Sequence, residues 1–171
     1  SEELTELAKY LNFPVTNTLM GLGCYPGDDP QFIQMLVMHG SYEANMAMHD
    51  CDLLIAVGAR FDDRITGRLD KFSPDATVIH IDIDPSSISK NIKAHIPVVG
   101  DVKDAVKKIS EKIVQKNLKP QNIEKWWSQI NKWRKKDSFK YDQKNDVIKP
   151  QFVIDKLYEI TKGDAFITSD V

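Results

Sequence analysis

Four places in the chain put glycine, arginine, aspartate or threonine directly after a short apolar run: Thr18-Leu19-Met20-Gly21, Gly58-Ala59-Arg60, Asp82-Ile83 and Gly100-Asp101. Glycine lets a backbone approach a pyrophosphate closely, and arginine neutralises its charge. A carboxylate at a strand end accepts hydrogen bonds from ribose hydroxyls, a role open to Asp82 and, at the adenosine end, to Asp101. The same two aspartates would serve equally well as caps of the helices that follow. Together the four groups suit a dinucleotide, although neither GxGxxG nor a Walker lysine is present.

Arg60, Asp62, Asp63 and Arg64 crowd together just after Gly58. They read either as ligand-binding groups or as a surface loop of mutually compensating charges. Met20 and Met38 fall in loops, as an apolar wall for a flat ring or as core filling. His39, His49, His80 and His95 are not at metal-ligand spacing; His39, beside Gly40, is best placed to line a site, and His80 is expected in a strand with a satisfied ring. No Ser-His-Asp arrangement, Cys-His pair or thiamine-type Gly-Asp-Gly…Asn metal motif is recognisable.

The elements that must position these groups follow from periodicity. Leu53 to Val57 is a continuous apolar run ending at Gly58, the pattern of a central strand buried on both faces. Charges after such a run sit at the carboxyl end of a parallel strand, where open α/β sheets hold ligands. Further strands are predicted at 13–18, 76–82 and 96–101, with a strand beginning at Ala165. Helices are predicted at Glu2–Leu11, Pro30–Val37, Ser41–Asp50 (N-capped by Ser41), from about Ile83–Ile88 onward, Val102–Val114, Gln121–Lys136 and Pro150–Thr161. The last is expected to bury Phe152, Val153, Leu157 and Ile160. Strands alternating with helices predict an α/β fold with a doubly wound, mostly parallel, Rossmann-like sheet.

The 171 residues carry a formal charge of −2, with 42% hydrophobic and 28% charged residues. That is an ordinary globular composition without the basic surplus of a nucleic-acid binder. No run approaches the ~18 apolar residues of a membrane span. Cys24 and Cys51 form no CxxC pair, which points to a reducing compartment.

Four strings carry a resemblance to a known family: Met38-His-Gly-Ser-Tyr-Glu-Ala-Asn-Met-Ala-Met, Val57-Gly-Ala-Arg-Phe-Asp-Asp-Arg-Ile-Thr-Gly, His80-Ile-Asp-Ile-Asp-Pro-Ser-Ser-Ile-Ser-Lys and Pro97-Val-Val-Gly-Asp. The chain resembles the catalytic subunits of the acetolactate synthase (acetohydroxyacid synthase) family over its whole length, most densely from Val15 to Val114. The resemblance implies a thiamine-diphosphate enzyme that condenses two 2-ketoacids with loss of carbon dioxide, in branched-chain amino acid biosynthesis. It implies FAD without a net redox role in the central domain, and thiamine diphosphate with Mg²⁺ elsewhere in the parent.

Carried over by position, Thr18, Leu19, Met20, Met38 and His39 would line the FAD. So would Gly58, Ala59, Arg60, Asp62 and Arg64, followed by Asp82, Ile83, Ser87, Gly100 and Asp101. Ser87 falls where some relatives have asparagine. Arg64 would also meet the carboxylate of the second ketoacid, and Met38 and Asp63 would shape the substrate channel. The implied domains are a central FAD-binding domain over 1–115, a linker with a surface helix over 116–149, and the start of the thiamine-pyrophosphate domain over 150–171. A first central strand with a glycine-rich loop is expected to precede Ser1. The catalytic glutamate and metal motif are expected in other domains, leaving this chain inactive alone. A homodimer or homotetramer, a regulatory small subunit and a bacterial cytoplasm complete the expectation. The competing readings are another flavin-containing thiamine enzyme such as glyoxylate carboligase, or a structural Rossmann-like domain packing through Trp126, Trp127 and Trp133.

Overall fold

The computed structural model describes residues 1–144 and 146–168. It divides into two compact units, Ser1–Lys136 and Asp137–Val171.

In the first unit, α1 (Glu2–Leu11) forms where Leu4, Leu7, Ala8 and Leu11 share one face, and it ends at Asn12 in the left-handed conformation (φ 56°). Two parallel sheets follow. One pairs β1 (Val15–Asn17) with β2 (Phe32–Met35); the other has the order β3-β4-β5, formed by Leu53–Val57, Thr77–Asp82 and Ile96–Val99. Parallel neighbours need crossovers. They are supplied by the loop with a short helical turn between β1 and β2, by the short α3 (Asp63–Thr66) and turns between β3 and β4, and by turns between β4 and β5, while α2 (Tyr42–Asp50) leads from β2 into the second sheet at β3. Then come α4 (Val102–Gln115) and α5 (Glu124–Arg134). The result is the α/β, parallel architecture expected.

Three elements depart from expectation. Residues 30–37 hold β2 instead of a helix, because Phe32 pairs with Val15 and Gln34 takes a left-handed φ of 71°, which no helix accommodates. Residues 83–88 form turns: Asp84 accepts hydrogen bonds from the Ser86 N–H (2.9 Å) and hydroxyl (2.8 Å), a local competitor to helix formation. And β4, not β3, lies in the middle of its sheet. Within β3 only Ala56 is buried, whereas β4 buries Val78, His80, Ile81 and Asp82.

The tryptophan helix packs as its stripe predicts. Ile130 and Trp133 of α5 join Ile33, Leu36, Ala44 and Ala47 in one core, with Trp126 edge-on to Trp133 at 5.5 Å. The Trp127 Nε1–H donates to the Asn12 carbonyl (2.9 Å), and Arg134 Nη2 donates to the Pro30 (2.7 Å) and Phe32 (3.1 Å) carbonyls. A second core gathers Ala56, Phe61, Ala76 and Val78.

The second unit contains α6 (Pro150–Thr161), started by Pro150. Its apolar face is not buried as expected: Val153, Leu157 and Ile160 are all exposed, and no residue of α6 is buried. No strand forms over 165–168, and 169–171 lie outside the described residues.

Burial pushes the Cys51 thiol from 9.0 up to about 11, while its Sγ–H donates to the Met48 carbonyl (3.3 Å). A raised thiol pKa favours the neutral folded form, so its contribution to stability is complete below the ordinary value and is lost as pH rises from there through about 11. Cys24 is exposed. We expect iodoacetamide at neutral pH to modify Cys24 well before Cys51, read by peptide mass mapping. Equal rates would contradict the burial described.

Candidate functional site

Parallel strands end at the same side of a sheet, so the groups that follow them collect along one rim. Past β3 the Gly58 N–H donates to the Ile81 carbonyl (2.8 Å), and past β5 the Gly100 N–H donates to the carbonyl of Asp82 at the end of β4 (3.0 Å). The ladder thus runs one step beyond the strands and sets Gly58, Asp82 and Gly100 side by side. Gly58 turns there with φ 66°, a conformation that favours glycine. At Gly100 a Cβ would meet nothing within 4 Å, so the rim is open above it.

At this rim the side chains divide. Asp101 is a helix cap: its Oδ1 accepts from the Asp104 N–H at the start of α4 (3.1 Å). Asp82 is buried, and its Oδ1 accepts from the Asp84 N–H (2.8 Å), while Ile83 beside it is 67% exposed. Ser87 is buried in the turns that follow. His80, fully buried, does not have the satisfied ring expected, because both ring nitrogens lack a hydrogen-bond partner among the described residues. Its Nε2 stands 3.9 Å from Asp82 Oδ2, beyond hydrogen-bond reach, and its ring meets Phe61 edge-on at 5.0 Å.

The charged loop after Gly58 is anchored by an apolar residue. Phe61 is buried in a left-handed conformation (φ 55°), edge-on to Phe72 as well as His80, and its carbonyl accepts from Asn91 Nδ2 (2.8 Å). On either side of it the charges face outward. Arg60 pairs with Asp62 (2.8 Å), an exposed pair of small energetic weight. Asp63 Oδ1 accepts from the Arg64 N–H (2.9 Å), and the Arg64 side chain is exposed. Ala59 is half-buried beside the Phe61 core.

The β1–β2 sheet gathers a second set. Thr18 Oγ1 accepts from the Gly21 N–H (3.1 Å) and closes a tight helical turn over Leu19–Gly21. That turn presents Leu19 and Met20 at 61% and 92% exposure. The β2 exit presents Met38 at 84% exposure, with His39 exposed next to it. Gly40 is sterically required: a Cβ there would stand 2.2 Å from the Met35 carbonyl oxygen. Ser41 then caps α2 through the Ala44 N–H (3.1 Å), as expected, and donates its hydroxyl to the Ile33 carbonyl (2.8 Å).

Two residues that sequence reasoning did not single out are prominent here. Asn45 Oδ1 accepts from the Val37 N–H (2.9 Å), and its Nδ2 donates to the Val37 (2.9 Å) and Ser41 (3.0 Å) carbonyls. Asn91 holds Phe61 in a similar way. Asn45 lay inside a motif already quoted; Asn91 follows another directly and carried no signal of its own.

The exits of the two sheets, with glycine turns, outward arginines and large exposed apolar side chains, suit an extended ligand with a flat ring and a charged centre. The thiamine pyrophosphate enzyme central-domain family matches residues 1–109. The whole chain is 52% identical over 171 residues to the acetolactate synthase large subunit of Buchnera aphidicola subsp. Schizaphis graminum. All of it also aligns with that of Haemophilus influenzae at 50% identity, and 99% of it with the isozyme 3 large subunit of Escherichia coli K12 at 49%. In each case the chain spans about 30% of the relative's length. The fold, the strand-exit rim and these likenesses agree: the chain belongs to the thiamine pyrophosphate enzyme family and carries its central domain.

Proposed function

We propose that this chain is the FAD-binding central part of an acetolactate synthase large subunit. The parent would condense two 2-ketoacids, pyruvate with pyruvate or with 2-ketobutyrate, with decarboxylation. The observation that carries the reading is the exposure of Leu19, Met20, Met38 and Ile83 at strand exits that also present Gly58, Arg60 and Gly100. Large apolar side chains left open at a rim are what a flat ring covers, so the residues present fit a flavin. Thr18, Leu19, Met20, Met38 and His39 would take the ring end. Gly58, Ala59, Arg60, Asp62 and Arg64 would take the pyrophosphate side, and Asp82, Ile83, Ser87, Gly100 and Asp101 the adenosine side.

Thiamine diphosphate, bound with Mg²⁺ in other domains, would supply the carbanion chemistry, while FAD has no net redox role. The residues of this chain orient and enclose. Arg64 would accept the carboxylate of the second ketoacid, with Asp63 and Met38 shaping its path. The proposed boundaries are 1–115 for the FAD domain, 116–149 for the linker and 150–171 for the start of the thiamine-pyrophosphate domain. Each of β1 and β3 has an edge unpaired among the described residues, open to pairing with a further strand. The name "large subunit" borne by the relatives supports a small regulatory partner. A homodimer or homotetramer in a bacterial cytoplasm is the rest of the proposal.

The experiment is to express the full-length protein and assay it with pyruvate and with glyoxylate. Acetolactate from pyruvate is expected. Tartronate semialdehyde from glyoxylate alone would contradict the reading. Residues 1–171 expressed alone are expected to form no product, since the proposed reaction draws its carbanion chemistry from other domains.

A further inference from the structure

We infer that Asn45 and Asn91 are positioning residues that lock the two site turns, an inference that rests on the flavin and ketoacid reading above. Val37 and Phe61 both hold left-handed backbone conformations, at φ 85° and 55°. For a β-branched or bulky aromatic residue this is strained, and such residues persist only where their surroundings over-determine them. Each stands next to groups that the proposed function uses: Val37 before Met38 and His39, Phe61 between Arg60 and Asp62.

An asparagine amide restrains each of them. The Asn45 side chain reaches Val37 from both directions, accepting its N–H and donating to its carbonyl at 2.9 Å each, and donates once more to the Ser41 carbonyl (3.0 Å). The turn between these anchors is closed by the Gly40 N–H donating to Val37 (2.8 Å). Met38 and His39 sit on this braced turn and project outward. Asn91 Nδ2 donates to the Phe61 carbonyl (2.8 Å), while His80 and Phe72 grip the Phe61 ring edge-on. The loop can then display Arg60 on one side and Asp63 and Arg64 on the other without its own hydrophobic support being visible from outside.

Both locks depend on a donor. Replacing the amide by a carboxylate of the same shape keeps the acceptor and removes the N–H groups, so an oxygen faces the carbonyl it formerly bonded. Asn45→Asp and Asn91→Asp are therefore the test, made in the full-length protein beside Arg64→Ala. FAD dissociation constants of the deflavinated protein, KM for the second ketoacid, kcat and melting temperature are measured for each. For Asn45→Asp we expect FAD binding weakened roughly tenfold. For Asn91→Asp we expect KM for the second ketoacid raised roughly fivefold, with kcat within about twofold. Asn91 is half-buried and makes a single such bond, so it keeps the test open if Asn45→Asp does not fold.

Variants that melt earlier yet bind FAD and ketoacid as the parent does would overturn the inference, since a merely structural role moves stability alone. If Arg64→Ala impairs ketoacid use but neither aspartate variant does, the locks are refuted and the functional reading stands. If Arg64→Ala has no effect either, the functional reading fails and the inference falls with it.

Discussion

Arg64→Ala in the full-length protein is expected to raise KM for the second ketoacid roughly 10- to 150-fold while most of the flavin stays bound, because Arg60 and the Gly58 turn remain on the pyrophosphate side. The magnitude is that of losing charge-assisted, two-pronged hydrogen bonds to a carboxylate. Retention of flavin follows from where Arg64 stands. Its side chain is exposed and makes no ion pair with a carboxylate among the described residues, so truncation removes no support from the loop. That support comes from Phe61, buried in the neighbouring core. Arg64→Lys should recover only part of the loss, because an ammonium cannot reproduce the guanidinium fork. Steady-state kinetics with flavin absorbance measured on the same sample separates the two effects. A parallel loss of flavin and activity would assign Arg64 to cofactor retention instead.

Gly40→Ala is expected to cost about 3 kcal/mol of stability, at the upper end of overpacking effects. The added methyl would stand 2.2 Å from the Met35 carbonyl oxygen and 2.5 Å from the Leu36 carbonyl carbon. Both are backbone atoms held by β2 and by the Ser41 N–H bond to Met35 (2.9 Å), so neither moves aside cheaply. The displacement would travel straight to Met38 and His39, and flavin affinity should fall together with stability. Gly23→Ala and Gly67→Ala make useful contrasts. A Cβ at either meets nothing within 4 Å, so their cost is confined to the left-handed φ of 89° and 54°. The comparison is read from urea midpoints of the three variants. A Gly40→Ala midpoint no lower than the other two would contradict the close approach.

How much of this was legible beforehand depends on what each signal measures. The strands at Leu53, Thr77 and Ile96 and the helices at Glu2, Tyr42, Val102 and Glu124 follow from apolar period and length, and each formed within a few residues of its predicted place. The β2 error has a local cause: Phe32 to Met35 is too short for period to separate strand from helix, and the partner that decides, β1, lies well upstream. The Ile83–Ile88 error was a matter of aspartate chemistry, since Asp84 can cap a helix or close a turn and here it closes turns. The side-by-side placing of Gly58, Asp82 and Gly100 was legible as strand exits, because parallel pairing within β3-β4-β5 brings them to one end of that sheet. What could not be read is how the exits are held. A left-handed phenylalanine, an asparagine clamped on a valine and a buried histidine ring with no hydrogen-bond partner among the described residues leave no periodic trace. They depend on contacts between residues far apart in the chain, as Asn91 with Phe61 shows.

Equilibrium titration of the deflavinated full-length protein with FAD decides whether these strand exits cradle a flavin. Saturable binding of one FAD per chain is expected, weakened by replacing Gly58 with valine. That substitution forces a β-branched side chain into φ 66° with Val102 Cγ2 3.6 Å from its Cβ. No saturable binding by the unaltered protein, or equal affinity in the Gly58→Val variant, would contradict it.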